Sequence, residues 1–481
     1  MDADERHSQS HERVTSTAKK LLPWLVAIAF FMEALDATIL NTAVPIIADA
    51  LKVLPLNMKS VLSSYTLSLA VFIPISSWVA DRFGTRRVFA WAIGLFTLGS
   101  VFCGLASNIH VLVACRILQG CGGAMMVPVG RLTLVRSFAK SDLIKTMSFV
   151  AIPALIGPML GPLAGGLIVR FFHWRMVFFV NVPIGLAGLY LVFKYLPDFR
   201  SKKVPPLDIV GLILFGAGIA LLSYVLEVFG EHSLGSAEVL GLLAISMTLL
   251  LGYWVHARSM SFPLLRLGLL RIRTLRIGVT GSFITRLGVG GLPFLLPLLY
   301  QIGLGYSPIE SGLLMMPQSI TAMALKMVAP RILTRFGYRS VLLLNTIMMG
   351  GLAILFAFFT QATPVWVIIF QACVFGFFSS LQYTCMNTLV YADIPDAETS
   401  MASTIVSTVQ QMSMSFGVAT ASLLTAFFIP ESLRGNSSEL LHGLHEAFIF
   451  MGLLTALSSL GFIELKSTDG DVISKHSEAI H

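Results

Sequence analysis

Apolar runs long enough to cross a bilayer recur fourteen times along this 481-residue chain. A hydrocarbon core about 30 Å thick takes roughly 20 residues of helix, because each residue rises about 1.5 Å. The runs cover residues 21–47, 61–80, 88–106, 109–135, 146–169, 176–196, 209–229, 239–256, 277–301, 309–328, 340–360, 365–391, 401–429 and 447–465, the eighth being the shortest. In lipid the backbone must satisfy its own hydrogen bonds, so runs of this length become helices. Hydrophobic residues make up 56% of the chain and charged ones only 12%, about half the roughly 25% share of a soluble domain. So few charges cannot cover a water-facing surface. Soluble enzymes, disordered chains and disulfide scaffolds are excluded, and the expected class is an all-α polytopic membrane protein.

Basic residues test the span count, because cytoplasmic loops are enriched in Lys and Arg. With the N-terminus inside, 24 of the 33 basic residues fall in inner segments, five outside (Lys52, Lys59, Arg170, Arg175, Arg434) and four within runs (Arg116, Arg131, Arg286, Lys326). Fourteen spans with both ends cytoplasmic are therefore expected. The net charge of +8 is explained by placement, and the basic stretch Arg258–Arg276 is expected to contact anionic lipid headgroups rather than nucleic acid. The five cysteines all sit in apolar runs without a C-x-x-C, so neither a disulfide framework nor a zinc site is expected. The polar tail before the first run is too long for a signal peptide, and that run is read as a retained span.

The chain also repeats itself. Arg82-Phe83-Gly84-Thr85-Arg86 follows the second run, and Arg335-Phe336-Gly337-Tyr338-Arg339 follows the tenth, 253 residues later. Six spans alone would repeat sooner, and the surplus of roughly 60 residues fits two more spans. The expected organisation is a cytoplasmic tail (1–20), a six-helix bundle (21–200), two inserted helices (201–258), a basic cytoplasmic linker (259–276), a second six-helix bundle (277–465) and a C-terminal tail (466–481). Parallel six-helix halves place a substrate site between them near the bilayer midplane.

Three runs carry unusual chemistry. Glu33 and Asp36 lie about halfway along the first. At about 100° per residue they share one face with Asn41. Carboxylates at that depth cost about 2.5–3.5 kcal/mol on insertion scales, so they pair, face water or take up protons. Arg116 lies within the fourth run. Arginine stays charged and needs an anion; Glu33 and Asp36 are the nearest candidates if the first and fourth helices adjoin. In the fifth run, Gly157, Gly161 and Gly165 recur every four residues, with Pro158, Pro162 and Gly166 beside them. Small residues at that spacing allow close helix contact, and the prolines free backbone carbonyls.

These residues resemble the major facilitator superfamily, and within it the fourteen-span drug:proton antiporter family of bacterial multidrug-efflux type. The segment Ser77-Trp78-Val79-Ala80-Asp81-Arg82-Phe83-Gly84-Thr85-Arg86-Arg87 is similar to G-x-L-A-D-R-x-G-R-R, with Ser77 and Thr85 departing from it. Leu35-Asp36-Ala37-Thr38-Ile39-Leu40-Asn41-Thr42-Ala43-Val44-Pro45 is similar to L-D-x-T-I-V-N-x-A-L-P. Leu112 to Ala124 is similar to L-x-x-x-R-x-x-Q-G-x-G-x-A, and Gly157 to Gly166 to the antiporter motif G-x-x-x-G-P-x-x-G-G. Trp174-Arg175 and Asn181-Val182-Pro183-Ile184-Gly185 resemble the family's W-R…N-x-P-x-G segment and are read as positioning residues. The resemblance implies proton coupling by Asp36 or Glu33 with Arg116, gating by Asp81, Arg82, Gly84 and Arg86, and Asp81 near the start of the thirteenth span.

The remaining intramembrane polar groups are sparser. Asn41, Gln119, Arg286, Gln301 and Gln382 are candidates for lining the substrate cavity, with helix bracing the competing role. His442 to Glu446 is expected in a solvated outer loop. No nucleophile–base pair or metal motif falls inside a run, no Walker sequence is present, and the loops are too short for a sensor domain. The expectation is a proton-driven exporter of small amphipathic compounds in a bacterial inner membrane, neither an enzyme nor cofactor-dependent, and working as a monomer. Its partners are a small-molecule substrate, protons and lipid. Export of an endogenous metabolite and passive facilitation are the alternatives.

Overall fold

The computed structural model describes residues 16–138, 140–201, 204–229, 236–326, 328–395, 398–429, 437–466 and 469. Most of the two expected tails, Lys202, Lys203, the expected outer segment from Glu231 to residue 235, and Arg434 lie outside the described residues. Among those described, the chain is all helix without strands. Helix α1 (Ser16–Ile39) ends in a 3₁₀ turn, Asn41–Ala43, and resumes as a short helix, Val44–Ala50. The break is local chemistry, since Pro45 has no N–H to return to the preceding turn. Helices α2 (Lys59–Phe83) and α3 (Thr85–Leu105) meet at Gly84, whose φ of +96° suits glycine. Asn108 caps α4 (Ile109–Ser137) by accepting from the Val111 N–H at 2.9 Å. Helix α5 (Lys140–Phe171) carries Pro153, Pro158 and Pro162, and a turn at Met176–Phe179 leads to α6 (Asn181–Tyr195).

The inserted pair is α7 (Ile209–Phe229) and α8 (Ser236–Ser259), so the shortest apolar run forms a 24-residue helix. Then come α9 (Arg273–Val289), extended by Leu292–Leu298 and a π turn at Leu299–Gly303, and α10 (Pro308–Leu325), which opens on a Ser307/Glu310 capping box. A short helix, Ala329–Phe336, precedes α11 (Tyr338–Leu355), with Gly337 at φ +71°. Gly84 and Gly337 thus make the same left-handed corner in the two copies of the repeat. Helices α12 (Val365–Leu389), α13 (Thr399–Phe427) and α14 (Ser437–Leu457) complete the chain. The expected outer-loop stretch His442–Glu446 is instead helical, within α14, and His445 Nε2 lies 3.0 Å from the Phe359 carbonyl. The amphipathic start of that helix had too few apolar residues to register as a run.

Twelve segments of the described residues are long and apolar enough to cross a membrane. The other two of the fourteen expected positions hold α10 and α13. Both are helical, but α13 reads Thr399-Ser400-Met401-Ala402-Ser403-Thr404 onward with a hydroxyl or amide in nearly every turn. Helices α1 to α6 pack mainly on one another, as do α9 to α14, and the two bundles meet along α5–α10 and α2–α13. The inserted α7 lies across the second seam, touching both α2 and α13. Lys59 Nζ donates to the Glu227 carbonyl at 2.9 Å, and Ser63 Oγ to Glu227 Oε1 at 2.5 Å.

Asp208, just before α7, ties the inserted pair to the linker. Its carboxylate meets His256 Nε2 at 2.7 Å and accepts from the backbone N–H of Gly211 at 2.7 Å and of Leu264 at 3.0 Å. Burial pushes its carboxyl up, but the hydrogen bonds from His256, Gly211 and Leu264 outweigh that and hold it below its ordinary value. A lowered carboxyl stabilises the fold at every pH above about 3.9 and loses that contribution as pH falls through its folded value. Asp208→Ala removes an N-terminal cap and leaves two N–H donors exposed to loss. It is expected to cost about 0.5–2 kcal/mol at neutral pH, read as a lower unfolding midpoint in detergent.

Candidate functional site

Asp36 is fully buried and Arg116 is 1% exposed, and their side chains meet at 2.6 Å, Arg116 Nη1 donating to Asp36 Oδ2. The other carboxylate oxygen accepts from Gln119 Nε2 at 2.8 Å and Asn181 Nδ2 at 2.8 Å. Gln119 also accepts from Arg116 Nη1 at 2.7 Å and donates to Ser100 Oγ at 2.7 Å. The Tyr65 ring lies 4.2 Å from the guanidinium carbon, and Arg116 Nε donates to the Val61 carbonyl at 3.4 Å. Five helices, α1, α2, α3, α4 and α6, therefore contribute to one polar cluster, in which α4 and α6 reach the carboxylate itself. Every hydrogen bond to its oxygens comes from an N–H donor, so the carboxyl acts here only as an acceptor. Such a pair is held by its geometry; removing one member strands the other charge in the interior.

Glu33, one turn earlier on α1, goes elsewhere. It lines a cavity of about 710 Å³ between the bundles, together with Phe30, Leu69, Ile73, Val127 and Arg131 on one wall and Ser403, Ser407, Gln410 and Gln411 of α13 on the other. The cavity reaches Ser77, Val135 and Thr399, at the ends of α2, α4 and α13 on the face that bears the Gly84 turn. On that face each bundle keeps its own apolar cluster. On the opposite face a single cluster runs through both, joining Leu40, Val44 and Ile47 to Leu295, Leu299 and Phe356. Gln301 Nε2 donates to the Thr42 carbonyl at 2.9 Å, and Ser422 Oγ to the Leu56 carbonyl at 3.2 Å, across the same seal. The cavity is open on one face and shut on the other.

The glycines of α5 explain how α1 and the seal are coupled. Gly157 abuts Ala34 and Leu35, Gly161 abuts Thr38, and Gly165 abuts the Ile39 carbonyl and Thr42, so tightly that a Cβ at any of them would overlap its neighbour. Pro162, lacking nothing on its carbonyl side, accepts from Thr42 Oγ1 at 2.8 Å. Gly166 faces Pro308 of α10 in the other bundle, and Gly312 of α10 faces Pro162 in return. Helix α5 is thus held between the helix that carries Asp36 and the helix that closes the far face.

At the open face, the turn between α2 and α3 is clasped by the segment after α6. Asp81 Oδ1 meets Arg136 Nη2 at 2.7 Å and accepts from Ser201 Oγ at 2.8 Å. Arg86 donates through Nε to the Leu196 carbonyl at 2.6 Å and through its N–H to Asp198 Oδ1 at 3.1 Å, while Gly84 leaves room for the Asp198 carboxylate. Arg82 is exposed. The partners of Asp81 all belong to the N-terminal bundle and its trailing segment, not to the start of α13.

Residues 26–418 and 278–476 match the sequence pattern of the Major Facilitator Superfamily. The chain belongs to the major facilitator superfamily. It is 40% identical over 443 residues to MdtD of Serratia proteamaculans (strain 568), a protein named for multidrug resistance, covering 91% of this chain and 92% of that one. The protein of the same name from Cronobacter sakazakii (strain ATCC BAA-894) is 39% identical over 455 residues, 94% and 95% of the two chains. The fold is similar to that of a D-xylose-proton symporter (TM-score 0.67, 16% identity, 93% and 98% of the chains) and of an inward-facing bacterial homolog of the lysosomal transporter Spinster (TM-score 0.65, 14% identity, 96% and 98%). With twelve membrane-capable helices, this superfamily member is a multi-pass protein of the bacterial inner membrane.

Several residues expected at the substrate cavity of this superfamily member are placed elsewhere. Gln119 serves Asp36. Gln301 closes the far face, and Asn41 is buried there, in the 3₁₀ turn after α1. Arg286 is buried over the Tyr383 ring at 4.3 Å, with Nε donating to Ser282 Oγ at 3.1 Å. Gln382 braces α11, donating to Thr346 Oγ1 at 2.7 Å and accepting from Asn345 at 2.8 Å. None of the five lines the 710 Å³ cavity. Tyr65 and Ser100 were missed because no charge marks them, and Asp198 because its loop shows no motif. The hydroxyl and amide periodicity of α13 was the available signal for that wall.

Proposed function

We propose that the chain is a proton-driven exporter of small amphipathic compounds that works by alternating access, without a cofactor and without enzymatic chemistry. The observation that carries this reading is a buried Asp36 paired with Arg116, on the same helix as the cavity-lining Glu33 and just before the far-face seal at Thr42. The relatives named for multidrug resistance support it. The open face is taken as cytoplasmic, with fourteen spans, both termini inside, and the bundle boundaries expected from the repeat. In this conformation substrate reaches the cavity while Asp36 is deprotonated. Taking a proton from the far side neutralises Asp36, releases Arg116 and loosens α1 against α5, which links proton uptake to the outward-open state. Return of the proton is driven by about 2.3 kcal/mol per 100 mV plus the pH difference.

The test is transport in proteoliposomes with a panel of amphipathic dyes and drugs, with and without an imposed pH gradient and without ATP. Uphill movement that vanishes when the gradient is collapsed is expected. Equal, downhill-only movement in both conditions would make the protein a passive facilitator. Cysteines at Ser233 and Ser259, in a background lacking native cysteines, are expected to label from opposite sides. Labelling from one side would mean that α8 does not span. Asp81 is proposed to favour the outward-open state by approaching the N-terminus of α13, where a carboxylate gains about 0.3–1 kcal/mol. Asp81→Asn should therefore shift inter-bundle crosslinking toward the conformation described here, and an unchanged pattern would remove Asp81 from the gate.

A further inference from the structure

The α1–α4 wall of the cavity carries an acid and a guanidinium that do not meet. Glu33 and Arg131 both line it and act on each other electrostatically, yet among the described residues no ion pair or hydrogen bond joins them. Phe30 lines the same wall beside both. The Arg131 guanidinium carbon is 6.0 Å from the Phe30 ring centroid, and Phe30 precedes Glu33 by three residues, about 4.5 Å along the helix. Asp36, the other acid of α1, is committed to Arg116 and two amides. The facing wall on α13 offers hydroxyls and amides but no charge: Ser403, Thr404, Ser407, Gln410 and Gln411.

Consider what each kind of ligand leaves behind when it displaces water from this space. A cation neutralises Glu33, but a ligand long enough to fill the cavity also covers Arg131, which is exposed in the empty space and cannot shed its charge. An anion satisfies Arg131 but leaves Glu33 without a counter-charge, so that the carboxylate stays unpaired or must take up a proton before the anion binds. Leaving a charge desolvated and unpaired is the costly outcome, and a site that imposes it on the wrong ligand is selective by exclusion. A ligand bearing both charges leaves neither uncompensated. We propose that this cavity selects zwitterionic amphipaths, with a cationic nitrogen at Glu33, a carboxylate or similar anion at Arg131, and an apolar or aromatic body lying over Phe30. This deepens the exporter reading and rests on the cavity being the substrate path. Arg131 lies nearer the open face than Glu33, so the cationic end enters deeper.

The experiment is calorimetric binding to the purified full-length protein in nanodiscs, with four probes built on one naphthyl ring: an amine, a carboxylate, the amino-carboxylate and a neutral alcohol. Wild-type protein is expected to bind the amino-carboxylate at least about tenfold tighter than the amine or the carboxylate, one unpaired charge being worth a factor of that order or more. Arg131→Gln should bring its affinity down to that of the amine, Glu33→Gln down to that of the carboxylate, and Arg131→Lys should retain most of the advantage. Binding of the neutral alcohol reports whether each variant is folded. The proposal is overturned if the amine binds wild type as tightly as the amino-carboxylate, if the four probes bind equally or not at all, or if the zwitterion-to-amine ratio is the same in wild type and Arg131→Gln and Arg131→Lys alike. No gradient is needed for binding. A loss of pH-driven export with these ratios intact refutes the coupling and not the specificity, and the reverse result refutes the specificity alone.

Discussion

Asp36→Asn is expected to abolish gradient-driven export while substrate binding and substrate–substrate exchange continue. The change keeps the side chain's shape and an acceptor oxygen for Asn181 and Gln119, but it removes the only group at that depth that both pairs with Arg116 and can be neutralised by a proton. Uphill transport in proteoliposomes should fall to the level of vesicles without a gradient. The single variant also leaves the Arg116 charge uncompensated, at about 3–5 kcal/mol, so its unfolding midpoint should drop. Combining it with Arg116→Gln removes both charges and should recover much of that stability without recovering transport. Thermal unfolding and flux are thereby separated. Coupled export by Asp36→Asn at wild-type stoichiometry would move the proton site away from Asp36, with Glu33 the next acid to test.

Gly166→Leu is expected to stop transport by a different route. Gly166 packs on the Pro308 backbone of α10, where any Cβ overlaps a carbonyl that cannot step aside. Forcing a side chain into a packed contact costs about 1–3 kcal/mol or more, and the cost falls on the conformation described here, with the far face closed, and is expected to be relieved where the bundles part on that face. A bias of 1–3 kcal/mol is a shift of roughly 5- to 150-fold between states. Crosslinking between α5 and α10 should therefore decline, crosslinking across the open face should rise, and turnover should collapse with the protein still folded. Gly351→Ala, where a Cβ meets nothing within 4 Å, is the matched control and should transport normally. Normal turnover in Gly166→Leu would show that the α5–α10 contact is not part of the cycle.

Much of the architecture was present as pattern: run length, the alternation of basic loops, and a five-residue repeat whose glycines both turn out to sit at positive φ. Helical periodicity also placed Glu33 and Asp36 on one side of α1, but it could not say what stood opposite. Three residues of spacing leave them about 60° apart, enough for α4 and α6 to surround one and for the cavity to receive the other. The amides at Gln301 and Gln382 show the same limit. Each is polar and intramembrane, yet one ends as part of the far-face seal and the other as a brace within the second bundle, because a side chain's partner is set by the neighbouring helix and its register.

By itself, then, the sequence determined an all-helical membrane fold of two related bundles, a buried acid and a buried guanidinium that had to find counter-charges, and a run of glycines that had to lie against something closely. These follow from local terms: apolar length, charge at depth and missing side chains. Only the tertiary structure decided that Arg116 takes Asp36 and leaves Glu33, that the α5 glycines press on α1 and α10 rather than on lipid, and that the space between the bundles is open on one face. Those outcomes depend on which helices pack together, and packing is a property of all the surfaces at once, which no single segment of the chain contains.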